Sequence, residues 1–170
     1  MAPHVRIAFH AALAAAFVAG TAPASSLASV EESGQPLRFF EGRTEMTSVV
    51  KIVMRKPYWS HTTTRGEIRA DGSLILVQLV EDEGKPARQR YWTIRQVDRN
   101  RFTGTMSDAL GPVRIQKIAD QYRFTFKLKG NLAVEQWLMP APGGRSARSR
   151  MTVRKFGMRV ASSEGMIRKL

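Results

Sequence analysis

Turn-forming residues recur at short intervals along the middle of this sequence, and they restrict its fold more than any other feature. From Asp71 to Gly143 a turn signal interrupts the chain roughly every 10 to 15 residues. Gly adopts positive φ, Asn and Asp tolerate it, and Pro ends a hydrogen-bonded ladder. This spacing predicts hairpin-linked antiparallel strands rather than strand–helix–strand units. The turns are Ala70–Ser73, Glu83–Pro86, Asp98–Arg101, Leu110–Pro112, Ala119–Gln121, Lys129–Asn131 and Pro140–Gly144.

Most segments between these turns alternate apolar and polar residues, the period expected of half-buried strands, whereas Leu74–Val80 is apolar on both faces, which predicts a strand covered on both sides. The clearest is Gln121–Lys129, where every second residue from Tyr122 to Leu128 is apolar. No long stretch carries the 3.6-residue period of a helix, although Pro36–Gly42 is predicted to form a short helical turn that plugs one end. Further strands are predicted over Glu67–Asp71, Leu74–Val80, Tyr91–Val97, Ala133–Met139 and Met151–Val160.

About nine or ten short strands fit into the chain after residue 35, and a sheet of that length curls and closes to remove its edges. We therefore predict an all-β protein with one antiparallel up-and-down barrel of about eight to ten strands. Such a barrel has an interior that holds side chains or one small ligand. Aromatic residues on the predicted inward faces are candidates for a ligand pocket, with plain core packing as the alternative: Trp92, Phe102, Tyr122, Phe124, Phe126, Trp137 and Phe156.

The first 24 residues have the order of a secretory signal peptide. Arg6 precedes the uncharged, apolar stretch Ile7–Gly20, and Ala22-Pro23-Ala24 matches a small-residue cleavage site. A second site follows Ala28, and an uncleaved anchor is the alternative, although the apolar part is shorter than the roughly 20 residues of a membrane span. We predict a signal peptide at 1–24, a flexible segment at 25–35, a barrel domain at 36–170 and a periplasmic location.

Composition excludes several kinds of site. The chain of 170 residues has no Cys and three His, of which only His61 lies beyond the N-terminal segment. Disulfides, iron–sulfur clusters, thiol catalysis and a lipidated N-terminal Cys are therefore excluded, and His-based catalysis has little to use. Asp108 is predicted to cap a turn, and His61 to lie in a strand. Because no paired carboxylates, serine elbow or phosphate-binding Gly loop is evident, we predict a non-enzymatic protein with no cofactor and no metal.

The chain is strongly basic, with 27 Lys and Arg against 14 Asp and Glu. For an exported protein this charge favours anionic lipid or an acidic envelope partner over nucleic acid. Arg side chains bind phosphate with two parallel hydrogen bonds. The basic segment near the C-terminus is therefore a candidate anion-binding loop that touches an anionic membrane surface, with a solvated polar face as the alternative. Its proposed contacts are Arg145, Arg148, Arg150 and Arg154.

Several short motifs resemble the DUF3833 family in order and spacing over residues 36–170. They are Phe39–Gly42 (F-F-x-G), Tyr91–Arg95, Arg101–Thr105, Asp108–Gly111, Gln136–Met139 and Met151–Val160, the last carrying K-F-G. The resemblance implies a small exported bacterial protein with a lipocalin-like barrel and no established activity. The sequence departs from the family in lacking a lipobox Cys, in having Glu135-Gln136 where an Asp pair is usual, and in its basic segment after Trp137.

Two functions remain open at this point. The first is a monomeric carrier that binds a small apolar, fatty-acyl-like ligand inside the barrel through apolar burial. The second is a packed barrel that docks an acidic partner or envelope polymer, and an enzyme acting on lipid is a third alternative. The first two differ in whether the barrel interior holds a continuous void.

Overall fold

The computed structural model describes residues 36–170, so the predicted signal peptide (1–24, or 1–28) and the segment 25–35 lie outside the described residues. A 3₁₀-helix at Pro36–Phe40 is followed by ten strands. These are β1 (Gly42–Ile52), β2 (Tyr58–Ile68), β3 (Leu74–Asp82), β4 (Arg88–Gln96), β5 (Arg101–Met106), β6 (Val113–Ile118), β7 (Gln121–Leu128), β8 (Leu132–Pro140), β9 (Ser146–Lys155) and β10 (Met158–Lys169).

The ten strands form one closed barrel in which each strand is antiparallel to the next. Closure comes from β10, which pairs with β1 over the register Thr44↔Lys169 to Ile52↔Ala161. The predicted all-β, up-and-down, lipocalin-like barrel of about eight to ten strands is confirmed. Because every strand has two neighbours, the described chain presents no unpaired barrel edge.

Alternation along the strands places the core inside the barrel. On β7, Phe124 and Phe126 are buried, as the sequence predicted. They meet Trp92 of β4 in edge-to-face contacts, with ring centroids 6.5 and 6.0 Å apart. Fully buried Leu74, Ile94 and Val113 extend this packing, so the densest part of the core lies on β3 to β8.

The 3₁₀-helix closes one end of the barrel, as predicted, and we refer to Pro36–Phe40 as the plug. Leu37, Phe39 and Phe40 pack against the core. Gly66 of β2 lies so close to the plug that a Cβ there would be 1.8 Å from the Phe40 carbonyl oxygen. At this position glycine is required by close backbone approach.

Two turns were not predicted from the sequence. Met151–Val160, expected as one strand, is divided by a turn at Phe156 and Gly157, whose φ angles of 49° and 82° are those of a type I′ hairpin. Another turn connects β1 to β2, where the Arg55 N–H donates to the Ile52 carbonyl (3.1 Å). Both occur at the barrel end opposite the plug.

Candidate ligand-binding cavity

A cavity of about 700 Å³ occupies the barrel interior on the side away from the plug. Its lining includes terminal strand residues such as Ile52, Tyr58 and Asp82. It therefore reaches the unplugged end, where the exposed side chains of Arg88 and Lys155 also line it. We refer to this end as the mouth. The interior is thus not packed throughout, and the void is large enough for a small organic ligand.

One wall of the cavity is apolar and partly aromatic. Trp92, Met106 and Phe126 contribute side chains from β4, β5 and β7, and Met151 and Val153 extend the surface on β9. Flat rings and flexible thioethers bury a large apolar area at low conformational cost. An apolar ligand body would gain most of its binding free energy here.

Small hydroxyl residues form the opposite wall. Ser48, Ser60, Thr62, Ser149 and Ser163 line the cavity, and all are buried. They occupy inward positions of β1, β2, β9 and β10. Because these side chains are short, they leave the space that larger residues fill on the aromatic side.

Hydrogen bonds link the two walls. The Trp92 Nε1–H donates to Gln78 Oε1 (2.7 Å), and Gln78 Nε2 donates to Thr64 Oγ1 (3.2 Å). Among residues 36–170, the Thr62 and Ser163 hydroxyls have no protein hydrogen-bond partner. Both line the void, so they are available to a polar group of a ligand or to water.

On one side of the mouth, ion pairs compensate the charges of basic side chains. Asp82 accepts a hydrogen bond from Arg88 Nη1 (2.7 Å), and Lys85 lies 3.5 Å away. Burial alone would raise the Asp82 pKa, but hydrogen bonds from Arg88 and Ser60, with the Lys85 charge, outweigh it and lower that pKa. The carboxylate is therefore ionised at neutral pH.

Asp108 is held in the same way. Its carboxylate accepts hydrogen bonds from Arg90 Nε (2.9 Å) and from the Ser107 hydroxyl (2.9 Å). Burial would raise its pKa, yet these two bonds and the Arg90 charge lower it. Asp108 is thus an ion-paired anion between β5 and β6, and it fixes the position of an arginine that lines the cavity.

The other side of the mouth carries cations without acidic partners. Arg55, after β1, and Lys155, at the end of β9, both line the cavity. Within the described part of the chain neither lies in a salt bridge, whereas Arg88 and Arg90 do. This side of the mouth therefore has uncompensated positive charge available to an anionic ligand group.

Five of the seven predicted pocket aromatics face the barrel interior, and they divide into three groups. Trp92 and Phe126 line the cavity. Phe124 borders a connecting void of about 60 Å³. Phe102 and Tyr122 pack near the plug around a space of only about 30 Å³. Core packing, the alternative for these positions, therefore describes Phe102 and Tyr122 better than ligand contact.

Trp137 and Phe156 are wrongly assigned to the interior by the sequence analysis. Val134 and Leu138 are buried on β8, and alternation from them turns Trp137 outward, where the Arg123 guanidinium lies 5.9 Å from its ring. Phe156 occupies a hairpin turn and is 75% exposed. Val134 and Leu138 have even numbers and Trp137 an odd one, so alternation from these two apolar residues could have placed Trp137 on the outer face.

The four arginines predicted to bind anions are not brought together, and three of them are not in a loop. β9 begins at Ser146, so Arg148, Arg150 and Arg154 lie on its outer face, and only Arg145 lies in the preceding turn. Arg148 and Arg154 are about 20 Å apart along the strand. Arg150 is paired with Glu164 (Nε–Oε1 3.2 Å).

The cationic and hydroxyl residues of the cavity were missed because polar residues in a strand are ordinarily assigned to the solvent face. Alternation in β2 held the signal: Ser60, Thr62 and Thr64 share one parity and are buried. His61 has the other parity and faces outward, with its Nδ1 3.4 Å from Thr47 Oγ1. Over residues 36–170, no cluster of His, Asp and Glu is arranged to hold a metal ion.

Comparison with solved structures places this architecture among known barrels. An S-type phycobiliprotein lyase, CpeS from Guillardia theta, is similar with a TM-score of 0.63 and 8% identity, covering 83% of this chain and 92% of the lyase. A DUF3598-family protein of unknown function from Nostoc punctiforme has a TM-score of 0.56 and 11% identity, with 79% of this chain and 49% of that protein covered. These likenesses show the fold.

Sequence comparison adds no family assignment. No family model matches the chain, and a search of curated proteins gave no significant match. The resemblance to the DUF3833 family therefore stays a prediction. Among the described residues, no helix has the length and apolar character needed to cross a membrane.

Proposed function

We propose that this protein is a non-enzymatic, exported carrier of one small amphipathic ligand. The observation that carries the proposal is the cavity of about 700 Å³, with an aromatic wall, a hydroxyl wall and a cationic mouth. Pockets of this size that combine apolar lining with a few polar groups are typical of small-molecule sites.

The lining indicates the chemistry of the ligand. A fatty-acyl-like or flat apolar body fits against Trp92 and Phe126, where it gains free energy by leaving water. A carboxylate or phosphate at one end of the ligand fits Arg55 and Lys155, the mouth cations without acidic partners. The free hydroxyls of Thr62 and Ser163 favour a ligand with a polar group along its body over a pure hydrocarbon.

The carboxylates at the mouth support binding rather than catalysis. General acid catalysis needs a carboxyl group that holds a proton near neutral pH. Asp82 and Asp108 both have lowered pKa values because arginines donate hydrogen bonds to them. Their arrangement is that of structural ion pairs that fix Arg88 and Arg90 in place.

A packed barrel that docks an acidic partner is the second function that the sequence suggested. The continuous void inside the barrel favours the carrier, because an interaction module has no need of unfilled interior space. We place the carrier in the periplasm as a monomer, in accord with the predicted signal peptide.

Native mass spectrometry of protein purified from its own envelope tests the proposal. We expect an additional mass that is retained under gentle conditions and lost on denaturation. Ser163→Phe introduces a ring into the cavity and should weaken ligand binding by about tenfold or more. Ser162→Phe is the matched control, because the adjacent residue faces outward and should leave binding unchanged.

A fluorescent fatty acid provides a second measurement on the same two variants. A bare protein mass together with no uptake of this probe would reject the carrier. Equal binding by folded Ser163→Phe and Ser162→Phe variants would show that the ligand does not occupy the cavity.

A further inference from the structure

Two neighbouring turns at the mouth expose large apolar side chains to solvent. Met54 is 99% exposed and Val53 59% in the turn after β1, and Phe156 is 75% and Met158 68% exposed around the turn between β9 and β10. We refer to these four residues as the tip surface. Because these four side chains are exposed, packing in the barrel core does not explain why they are apolar.

The two turns are held beside each other by the strand pair that closes the barrel. Ile52 pairs with Ala161, and the Val53 N–H donates to the Val160 carbonyl (3.0 Å). The four apolar side chains therefore project from one sector of the mouth rim. Trp59 lies on the outer face of β2, one residue into the strand, and is 60% exposed.

Backbone conformation gives a second, independent observation. Met54 and Phe156 have φ angles of 61° and 49°, in the left-handed region that bulky residues rarely adopt. The position of Met54 in its turn favours Gly, and that of Phe156 in a type I′ turn favours Asn. Apolar side chains thus occupy both tips against the local conformational preference, which is common where a side chain has a function.

The two segments that carry the tip surface are basic, although Glu83 accepts a hydrogen bond from the Trp59 backbone N–H (3.0 Å) on the neighbouring rim. Residues 51–59 and 154–160 contain six basic side chains and no acidic one: Lys51, Arg55, Lys56, Arg154, Lys155 and Arg159. Long basic side chains beside exposed Met, Phe and Trp are typical of segments that rest in the headgroup region of an anionic bilayer. Each basic residue near such a surface adds to the attraction.

We propose that the tip surface inserts into the interface of an anionic phospholipid bilayer, with the mouth of the barrel facing the lipid. The apolar tips lie in two short, exposed turns, and basic side chains flank both turns in sequence. That arrangement suits insertion between headgroups, whereas a protein partner would need a matching cavity with acidic edges. In this orientation the mouth cations meet lipid phosphates, and a ligand exchanges directly with the bilayer; this last point rests on the carrier function.

The proposal assigns membrane contact to a different surface from Arg145, Arg148 and Arg150, and of the four arginines considered above only Arg154 lies near the tip surface. Arg145 lies at the plug end, and Arg148 and Arg150 lie along the outer wall. If the mouth faces the bilayer, reversing these three charges should reduce vesicle binding little. This difference makes the two sites separable by mutation.

Co-sedimentation with vesicles of phosphatidylcholine alone, or mixed with phosphatidylglycerol, is the direct test. We expect binding to the anionic vesicles that weakens as salt is added. The double variant Met54→Gly/Phe156→Asn supplies the residues that the turns prefer, so its melting temperature should equal or exceed that of the parent. We expect its affinity for anionic vesicles to fall by about tenfold or more.

Val97→Ser is the matched control, because Val97 is also an exposed apolar residue beside a turn but lies at the plug end. It should bind vesicles like the parent. Binding of the fluorescent fatty acid in solution should be unchanged in the tip variant, and Ser163→Phe should still bind vesicles. Loss of one property without the other therefore distinguishes failure of this proposal from failure of the carrier function.

Three results would overturn the proposal. The first is no binding of the parent to anionic vesicles, and the second is equal binding by the parent and a folded tip variant. The third is a dimer in sedimentation velocity that the tip variant abolishes, because the tips would then cover a second copy of the chain.

Discussion

Replacing Gly66 with alanine should force the plug out of the barrel. The added Cβ would lie 1.8 Å from the Phe40 carbonyl oxygen, so the plug backbone must retreat by about 1.5 Å to reach ordinary contact. A backbone carbonyl has no rotamer with which to avoid the clash. We therefore expect the Pro36–Phe40 segment to detach, while the strands of the closed barrel stay paired.

The cost follows from the apolar surface that detachment exposes. Leu37, Phe39 and Phe40 are each half-buried, and half of a full burial free energy is about 1 kcal/mol for each. Detachment thus costs about 3 kcal/mol. Alanine is better than glycine within a strand by about 0.5–1 kcal/mol, which leaves a net loss of about 2–2.5 kcal/mol.

Urea unfolding followed by tryptophan fluorescence measures this loss. The control is the same substitution in a chain whose plug is already released by Leu37→Ser, Phe39→Ser and Phe40→Ser. There Gly66→Ala should cost much less, because the carbonyl is no longer in place and only the end of the Leu76 side chain, 2.9 Å from the added Cβ, has to shift. An equal loss in both backgrounds would refute the reasoning, since the clash would then lie within the barrel wall.

Two further predictions concern the cavity. The pKa of Asp82 is lowered in the folded protein, so the ionised carboxylate stabilises the fold above its usual pKa of 3.8. This stabilisation is lost as the pH falls through the folded-state pKa, which gives an acid limb in the plot of unfolding free energy against pH. Asp82→Asn should flatten that acid limb and lower the free energy of unfolding at neutral pH by about 1 kcal/mol. An unchanged acid limb would argue against the Arg88 pairing. Trp92→Phe removes the hydrogen bond to Gln78 and should lower the free energy of unfolding by about 2 kcal/mol. In urea unfolding, the double variant Trp92→Phe/Gln78→Leu should lose less than the sum of the losses in Trp92→Phe and Gln78→Leu. Additive costs would exclude that coupling.

Strand number and closure were predictable because turn signals and alternation are local properties of the sequence. Gly72, Gly111 and Gly130 all have positive φ in the structure, in turns that the sequence marks with Gly beside Asp, Pro or Asn. The β7 pattern likewise needs only one rule, that alternate side chains point to opposite faces. These features depend on backbone geometry, and tertiary context does not alter them.

The two missed turns show where local rules fail. Met54 and Phe156 occupy positions at which turn chemistry favours Gly or Asn, so neither segment carried a turn signal. Contact of the tip surface with lipid would explain why Met and Phe occupy these positions, because membrane contact favours apolar side chains and the turn backbone favours Gly or Asn. Functional sites are where such conflicts are expected.

The hydroxyl wall was missed for a different reason. Hydropathy assigns polar residues to water, but Ser48, Ser60 and Ser163 are buried beside a cavity rather than in a packed core. The size of the void depends on the side chains of all strands that face it. No single segment of sequence contains that information, so it became visible only when the barrel was closed.

The pairing of β1 with β10 also has a kinetic consequence. It joins residues as distant in sequence as Thr44 and Lys169, so this seam closes a loop that contains nearly the whole barrel. Contacts of such long separation carry a large loop-closure entropy and make folding slow. Until β10 docks, β1 and β9 are open edges of an unfinished sheet, and a chain stalled there would pair with its neighbours.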